Sequence, residues 1–108
     1  MTITKTVVVE QTQTTTLPLW RVVLHDSDQH SFIYVINMLM KIFAKNQQDA
    51  ELLSLQVHQL GYAEAARCSR ERAELYLQQV QAYGADDVML VMGNRSDGPL
   101  PCTIEPAP

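Results

Sequence analysis

Polar side chains of the kinds that bind ligands cluster in one short stretch of the chain, and a further one lies well downstream. They are three imidazoles, two carboxylates and a hydroxyl: His25, Asp26, Ser27, Asp28, His30 and His58. Side chains of these types accept hydrogen bonds, cap helices or bind metal ions. Their spacing does not choose among these roles, because it matches neither H-E-x-x-H nor a comparable metal-ligand pattern.

Each of these residues also has a plainer interpretation. Asp26, Ser27 and Asp28 stand just before a predicted helix, where such residues more often cap the free backbone amides than bind a ligand. His58 lies on the apolar stripe of another predicted helix, where a structural histidine is commoner than a functional one. Neither role is decided by these residues alone.

A metal-dependent hydrolase is the rival hypothesis of a different class. Its ligands would be drawn from the histidines and aspartates of the set above: His25, Asp26, Asp28, His30 and His58. The sequence carries no Ser-His-Asp or Cys-His motif, and four glycines form no phosphate-binding loop. We therefore expect no catalytic residues, no metal and no cofactor.

The composition indicates one globular domain. The chain has 108 residues and a formal net charge of −4, which argues against a nucleic-acid partner. No stretch is apolar and long enough to span a membrane, and the first residues lack the features of an export signal. Cys68 and Cys102 are then expected to be reduced thiols. The sequence predicts a cytoplasmic protein with no membrane association.

The apolar spacing predicts a strand followed by three helices. Trp20 to Leu24 has the content of a strand, and Asp28 or Ser31 would cap the first helix. The second helix begins after Asn46 and ends at Gly61, whereas the third runs from Ser69 to Gly84. The buried stripes of the three helices are expected to be Phe32, Val35, Ile36, Leu39, Ile42 and Phe43, then Ala50, Leu53, Val57 and Leu60, then Ala73, Tyr76, Leu77, Val80 and Tyr83.

The remaining segments are less regular. Propensity alone makes Tyr62–Cys68 a helix. The apolar run Val88–Met92 reads as a strand, residues 93–99 as a loop, and Leu100–Glu105 as a returning strand. Together the elements favour an α+β fold with helices on one face of a small antiparallel sheet.

Four segments, in order, resemble the ClpS adaptor family. They are W-R-V-V-L-H-D-S-D at 20–28, V-H-Q-L-G at 57–61, S-R-E-R-A-E at 69–74 and L-P-C-T-I-E at 100–105. The resemblance implies a β-α-α-β-α-β sandwich in which three helices pack against the sheet. It also implies that Tyr62–Cys68 is a strand, contrary to propensity.

The resemblance further implies a non-enzymatic adaptor that binds the N-terminal residue of other proteins, with Leu, Phe, Tyr or Trp as that residue. The amine would be bound by Asp26, Ser27, Asp28 and His58, with Asp26 standing where the family has Asn. The hydrophobic pocket would be formed by His30, Phe32, Val35, Ser54, Val57 and Leu100, with Phe32 and Ser54 standing where the family usually has Met.

The partner implied by the resemblance is the N-terminal domain of a ClpA or ClpC unfoldase, with the adaptor as a monomer. Docking would use Glu71, Glu74 and Tyr76, the last standing where a Lys is usual. Residues 1–17 would form a flexible tail, 18–105 the adaptor domain with an insertion at 85–99, and 106–108 a disordered end. An alternative is a module of this fold that binds a Clp chaperone and modulates it without recognising N-terminal residues.

Overall fold

The computed structural model describes residues 18–108, so the predicted tail at 1–17 lies outside the described residues. Seven elements follow one another: β1 (Trp20–His25), α1 (Phe32–Ile42), α2 (Gln47–Leu60), β2 (Tyr62–Cys68), α3 (Arg70–Tyr83), α4 (Asp87–Val91) and β3 (Cys102–Pro106). This order confirms the predicted α+β fold and adds a short helix, α4, within residues 85–99, the segment predicted to be an insertion and called the insertion below.

The sheet has β1 at its centre, in the order β2-β1-β3, and both pairings are antiparallel. Val22 stands opposite Ala66 on one side and Ile104 on the other. The register with β2 shifts between Val22 and Val23, as at a β-bulge. β1, which leads into the polar loop, is therefore hydrogen-bonded to a strand on each of its two edges.

The segment Tyr62–Cys68 is a strand, so the helix expected from its propensity is wrong and the strand implied by the resemblance is confirmed. Ala63 and Ala65 are buried, and Glu64 between them is more exposed, which is the alternation of a half-buried strand. Helix propensities differ by only tenths of a kcal/mol per residue among such side chains, up to about 0.7. Pairing with β1 outweighs that preference.

The two faces of the sheet differ in character. On one face, Val22 and Leu24 join a core shared with all three long helices. On the other, Arg21 forms ion pairs with Glu64 at 3.7 Å and with Glu105 at 2.8 Å. The helices therefore cover the face of Val22 and Leu24, and the opposite face carries the ion pairs of Arg21.

The helix boundaries follow from capping side chains. Ser31, rather than Asp28, caps α1, its Oγ accepting from the backbone N–H of Tyr34. Asn46 and Ser69 cap α2 and α3 in the same way. Leu60 was expected in the buried stripe of α2 but is 64% exposed, because the helix leaves the core in its last turn.

The strand expected at Val88–Met92 is wrong, because most of this run forms α4. The Asp86 carboxylate accepts from the backbone N–H groups of Val88 and Met89, which starts a helical turn. The apolar side chains of α4 are not buried, and Val91 is 86% exposed. A short apolar run cannot by itself distinguish a strand from a helix.

The returning strand predicted near the end of the chain is present as β3, shifted toward the C-terminus. Pro106 is its last residue, and the N–H of Ala107 donates to the carbonyl oxygen of Leu19 at 2.8 Å. The fraying expected from Pro106 onward therefore does not begin there.

Candidate functional site

A cavity of about 150 Å³ lies between the loop that follows β1, the start of α1 and the last turns of α2. Eight residues line it: Asp26, His30, Ser31, Phe32, Val35, Ser54, Val57 and His58. A protein cavity of about this volume holds a benzene-sized molecule. The space therefore suits one apolar side chain of moderate size.

The polar loop and the end of α2 meet through one backbone hydrogen bond. The N–H of Asp26 donates to the carbonyl oxygen of Gly61 at 2.9 Å. Gly61 follows α2 and has φ of +90°, a left-handed value that glycine adopts without strain. The turn it makes brings Asp26 to the same cavity as His58, three residues before Gly61.

The cavity wall comes from two helix faces. Ser54, Val57 and His58 occupy positions i, i+3 and i+4 of α2, which lie on one side of a helix. Phe32 and Val35 stand three residues apart on α1 in the same way. Val35 and Val57 are buried, whereas Phe32 is 44% exposed. Two buried valines thus line the interior of the cavity, and the partly exposed ring of Phe32 lies toward solvent.

The structure brings together two of the four residues predicted to bind an amine. Asp26 and His58 line the cavity, and Ser27 and Asp28 do not. The Ser27 hydroxyl is hydrogen-bonded to His30 Nδ1 at 2.9 Å and accepts from the N–H of Gln29. Asp28 is exposed. Of the predicted amine-binding set, one carboxylate and one imidazole therefore line this cavity.

Five of the six predicted pocket residues line the cavity, namely His30, Phe32, Val35, Ser54 and Val57. Leu100 does not: it is buried in the core, and its N–H donates to the Tyr34 hydroxyl at 3.3 Å. Ser31 is the lining residue that sequence reasoning assigned only to capping. Its position directly before Phe32 was the available signal.

His30 connects the cavity to the insertion. Its Nε2 lies 2.7 Å from the carbonyl oxygen of Gly98, which can only accept, so Nε2 carries the proton in this contact. In the neutral ring, Nδ1 then accepts from the Ser27 hydroxyl. Both ring nitrogens are thereby engaged within the protein.

Asp86 attaches the insertion to the start of α1. Its side chain is fully buried and accepts from the backbone N–H of Ser31 as well as from those of Val88 and Met89. Burial by itself would raise the pKa of this carboxyl. The hydrogen bonds from Ser31, Met89 and Val88 outweigh burial and hold the pKa of Asp86 below its ordinary value.

Ser54 is exceptional among the polar residues of the site. Its side chain is 2% exposed, and its Oγ is the one buried side-chain oxygen or nitrogen in residues 18–108 that lacks a hydrogen-bond partner. An unpaired buried hydroxyl costs about 1–3 kcal/mol. One residue of the cavity wall therefore carries an unsatisfied polar group.

Comparison with known proteins identifies the family to which this chain belongs. The family model described as "ATP-dependent Clp protease adaptor protein ClpS" matches residues 15–102. The chain belongs to the ClpS family. This confirms the resemblance drawn from the four sequence segments, and the chain is a ClpS adaptor of the Clp protease.

Individual ClpS proteins are similar over most of the chain. The ClpS adapter of Deinococcus radiodurans is 38% identical over 79 residues, which are 73% of this chain and 70% of the relative. The ClpS adapter of Desulfatibacillum aliphaticivorans is 30% identical over 102 residues, which are 93% of this chain and 88% of the relative. The solved structure of Agrobacterium tumefaciens ClpS2 bound to L-phenylalaninamide superimposes with a TM-score of 0.65 over 83% of this chain and 98% of that one, at 23% identity. It shares the ClpS fold.

The residues predicted to dock a ClpS protein on an unfoldase lie in the first half of α3. Glu71 is exposed, and Glu74 pairs with Arg70 at 3.3 Å. Tyr76 is half-buried and stacks on Phe43, with ring centroids 4.7 Å apart. The two carboxylates are thus available on the surface, whereas the tyrosine ring is largely committed to packing.

The side chains named in the hydrolase hypothesis do not form a metal-ligand set. Within residues 18–108, no group of three or more His, Cys, Asp or Glu side chains is placed to hold a metal ion.

The same part of this ClpS chain contains no helix that is both long and apolar enough to cross a membrane.

Proposed function

We propose that this ClpS chain binds the free N-terminus of a protein whose first residue is bulky and hydrophobic, and delivers that protein to a ClpA or ClpC unfoldase. It acts as an adaptor and performs no chemistry itself. The observation that carries the proposal is the apolar cavity that Asp26 and His58 line together. A cationic amine and an apolar side chain need these two surroundings side by side.

The chemistry of Asp26 suits an ammonium group. One of its carboxylate oxygens accepts from the N–H of Ser27 at 2.9 Å, and the side chain is otherwise exposed. Acceptor positions therefore remain for the amine. His58, also exposed, offers a further nitrogen, and Val35 and Val57 surround the first side chain.

The Agrobacterium ClpS2 supports the same mode of binding. The L-phenylalaninamide bound to that protein carries a free α-amino group and a benzyl side chain, with an amide where a peptide would continue. A charge-assisted hydrogen bond contributes about 1.5–3 kcal/mol, and a buried apolar side chain about as much. After the cost of association, roughly micromolar affinity follows, which suits an adaptor that must release its cargo.

Delivery requires a second surface, and we assign it to α3. Glu71 and Glu74 present carboxylates there, and their partner is the N-terminal domain of ClpA or ClpC. The segment at 1–17 takes part in delivery, and the chain works as a cytoplasmic monomer. In this arrangement the cargo cavity and the docking helix are separate.

The decisive experiment is an anisotropy titration with a labelled peptide that begins with Phe. We expect binding that disappears when the peptide N-terminus is acetylated and weakens at least tenfold in His58→Ala. Equal binding of the acetylated peptide contradicts the proposal. Binding to a ClpA or ClpC N-terminal domain without any response to peptides supports instead a module that modulates the chaperone.

A further inference from the structure

We infer that Ser54 makes the cavity selective for tyrosine over phenylalanine as the first residue of the cargo. This inference rests on the proposed function, since it concerns the side chain that enters the same cavity. Its basis is Ser54, a residue that lines the cavity and whose buried hydroxyl has no hydrogen-bond partner among residues 18–108. A tyrosine side chain would bring that partner with it.

Ser31 and His30, the other polar side chains of the inner cavity, each have at least one hydrogen-bond partner. The Ser31 hydroxyl accepts from the N–H of Tyr34, and both nitrogens of His30 have partners. Within residues 18–108, Ser54 is the lining residue whose buried hydroxyl makes no hydrogen bond, so its donor and its acceptor are both unused. A phenol hydroxyl can either donate a hydrogen bond to the Ser54 oxygen or accept one from the Ser54 O–H.

The spacing along α2 matches the length of a tyrosine. His58 and Ser54 are one helical turn apart, about 6 Å along the axis. A tyrosine side chain spans a similar distance from its α-carbon to its hydroxyl. An amine held beside His58 therefore allows the phenol oxygen to reach Ser54, while the ring lies against Phe32, Val35 and Val57.

The size of the cavity agrees with a single aromatic ring. Its volume of about 150 Å³ equals that of cavities known to bind benzene. A phenylalanine ring would fill the same space and leave the Ser54 hydroxyl unpaired. Sites that contain a buried polar group discriminate in this way against the analogue that lacks the matching group.

The test compares two peptides that are identical except for Tyr or Phe at the first position. The wild-type chain should bind the Tyr peptide about threefold to tenfold more tightly, which is the effect of one neutral hydrogen bond. In Ser54→Ala this preference should vanish, so that the ratio of the two affinities falls to about one. Ser54→Cys, which keeps the size but has a weak hydrogen-bonding group, should also lose most of the preference.

The outcomes separate this inference from the proposed function. If both peptides bind equally and acetylation abolishes binding, the proposed function stands and the role of Ser54 is refuted. A Tyr preference that persists unchanged in Ser54→Ala refutes it as well. If neither peptide binds, the proposed function itself fails and the selectivity falls with it. Thermal unfolding of the variants ensures that each titration uses folded protein.

Discussion

The backbone N–H of Asp26 donates to the carbonyl oxygen of Gly61 at 2.9 Å, so the loop after β1 is fastened to the turn after α2. The two residues belong to segments far apart in sequence. The first segment contributes Asp26 to the cavity, and the second contributes His58. The position of the site therefore depends on a turn whose backbone is left-handed at Gly61.

Gly61→Ala should destabilise the protein by about 1–2 kcal/mol, the cost of a left-handed conformation for a residue with a β-carbon. A β-carbon at this position meets nothing within 4 Å, so strain and not collision is the cause. Urea denaturation measures the change. Gly61→Asn is the matched control and should lose less stability than Gly61→Ala, because Asn tolerates the left-handed conformation better than Ala does. Equal stability of wild type and Gly61→Ala would show the strain to be absent.

Asp26→Asn should weaken binding of a Phe-initiated peptide about tenfold, the loss expected for one charge-assisted hydrogen bond. Asp28→Asn removes the same charge from the same loop. It should change the affinity less than about twofold, because the Asp28 side chain does not line the cavity and exposed charges are screened. Paired titrations of the two variants decide whether Asp26 alone supplies the carboxylate. Similar losses in both would argue for a diffuse electrostatic effect.

Asp86→Asn should destabilise the protein by about 1–3 kcal/mol at pH 7, because the amide offers one acceptor where the carboxylate offers two. The N–H of Ser31 or those of Val88 and Met89 would then lack a partner. Asp87→Asn, one residue along and exposed, serves as the control and should change stability by less than about 0.5 kcal/mol.

The effect of Asp86 should also depend on pH in a defined direction. The folded protein holds the pKa of Asp86 below its ordinary value, so the unfolded chain binds the proton first as the pH falls. The contribution of Asp86 is therefore complete above the unfolded pKa of about 3.9 and is lost as the pH falls through the folded value. Unfolding free energies of wild type and Asp86→Asn should converge below about pH 4. A constant difference down to pH 3 would contradict this.

Alkylation should distinguish the two cysteines. Burial raises the pKa of Cys102 to about 11. Burial also raises the pKa of Cys68, but the positive charge of Arg72 partly counteracts that increase. At pH 8 a thiol with a pKa of 11 is about 0.1% thiolate, so Cys102 should react very slowly with iodoacetamide. Mass spectrometry of timed samples should show Cys68 modified first, and unfolding in urea should abolish the difference. Faster labelling of Cys102 would contradict its burial.

The sequence predicted the long helices and β1 well, because their signals are local. Ser31, Asn46 and Ser69 are capping residues at the right places, and Gly61 ends α2 as expected. Two segments were not predictable in this way. The strand at Tyr62–Cys68 exists because it pairs with β1, and the pattern of its own residues favours a helix.

The short helix α4 was missed for a related reason. The apolar run Val88–Met92, most of which lies in α4, fits a strand equally well, and the deciding signal was the cap at Asp86. Asp86 is also where the insertion meets Ser31 at the start of α1. A contact between such distant residues leaves no periodic trace in the sequence.

For the candidate site, residue types were easier to predict than their directions. The resemblance named seven of the eight lining residues, but it also included Ser27, whose hydroxyl turns to His30 and Gln29. Leu100 points into the core beneath Tyr34. Which of several neighbouring polar groups faces a cavity depends on the tertiary hydrogen bonds of the loop.

The central place of β1 in the sheet has a consequence for synthesis on the ribosome. The first strand of the described chain finds its second partner only in Cys102–Pro106, and Arg21 must wait for Glu105. The emerging polypeptide therefore carries an unpaired, aggregation-prone strand edge until almost the whole domain has left the exit tunnel. This adaptor completes its own sheet only after Cys102–Pro106 has emerged.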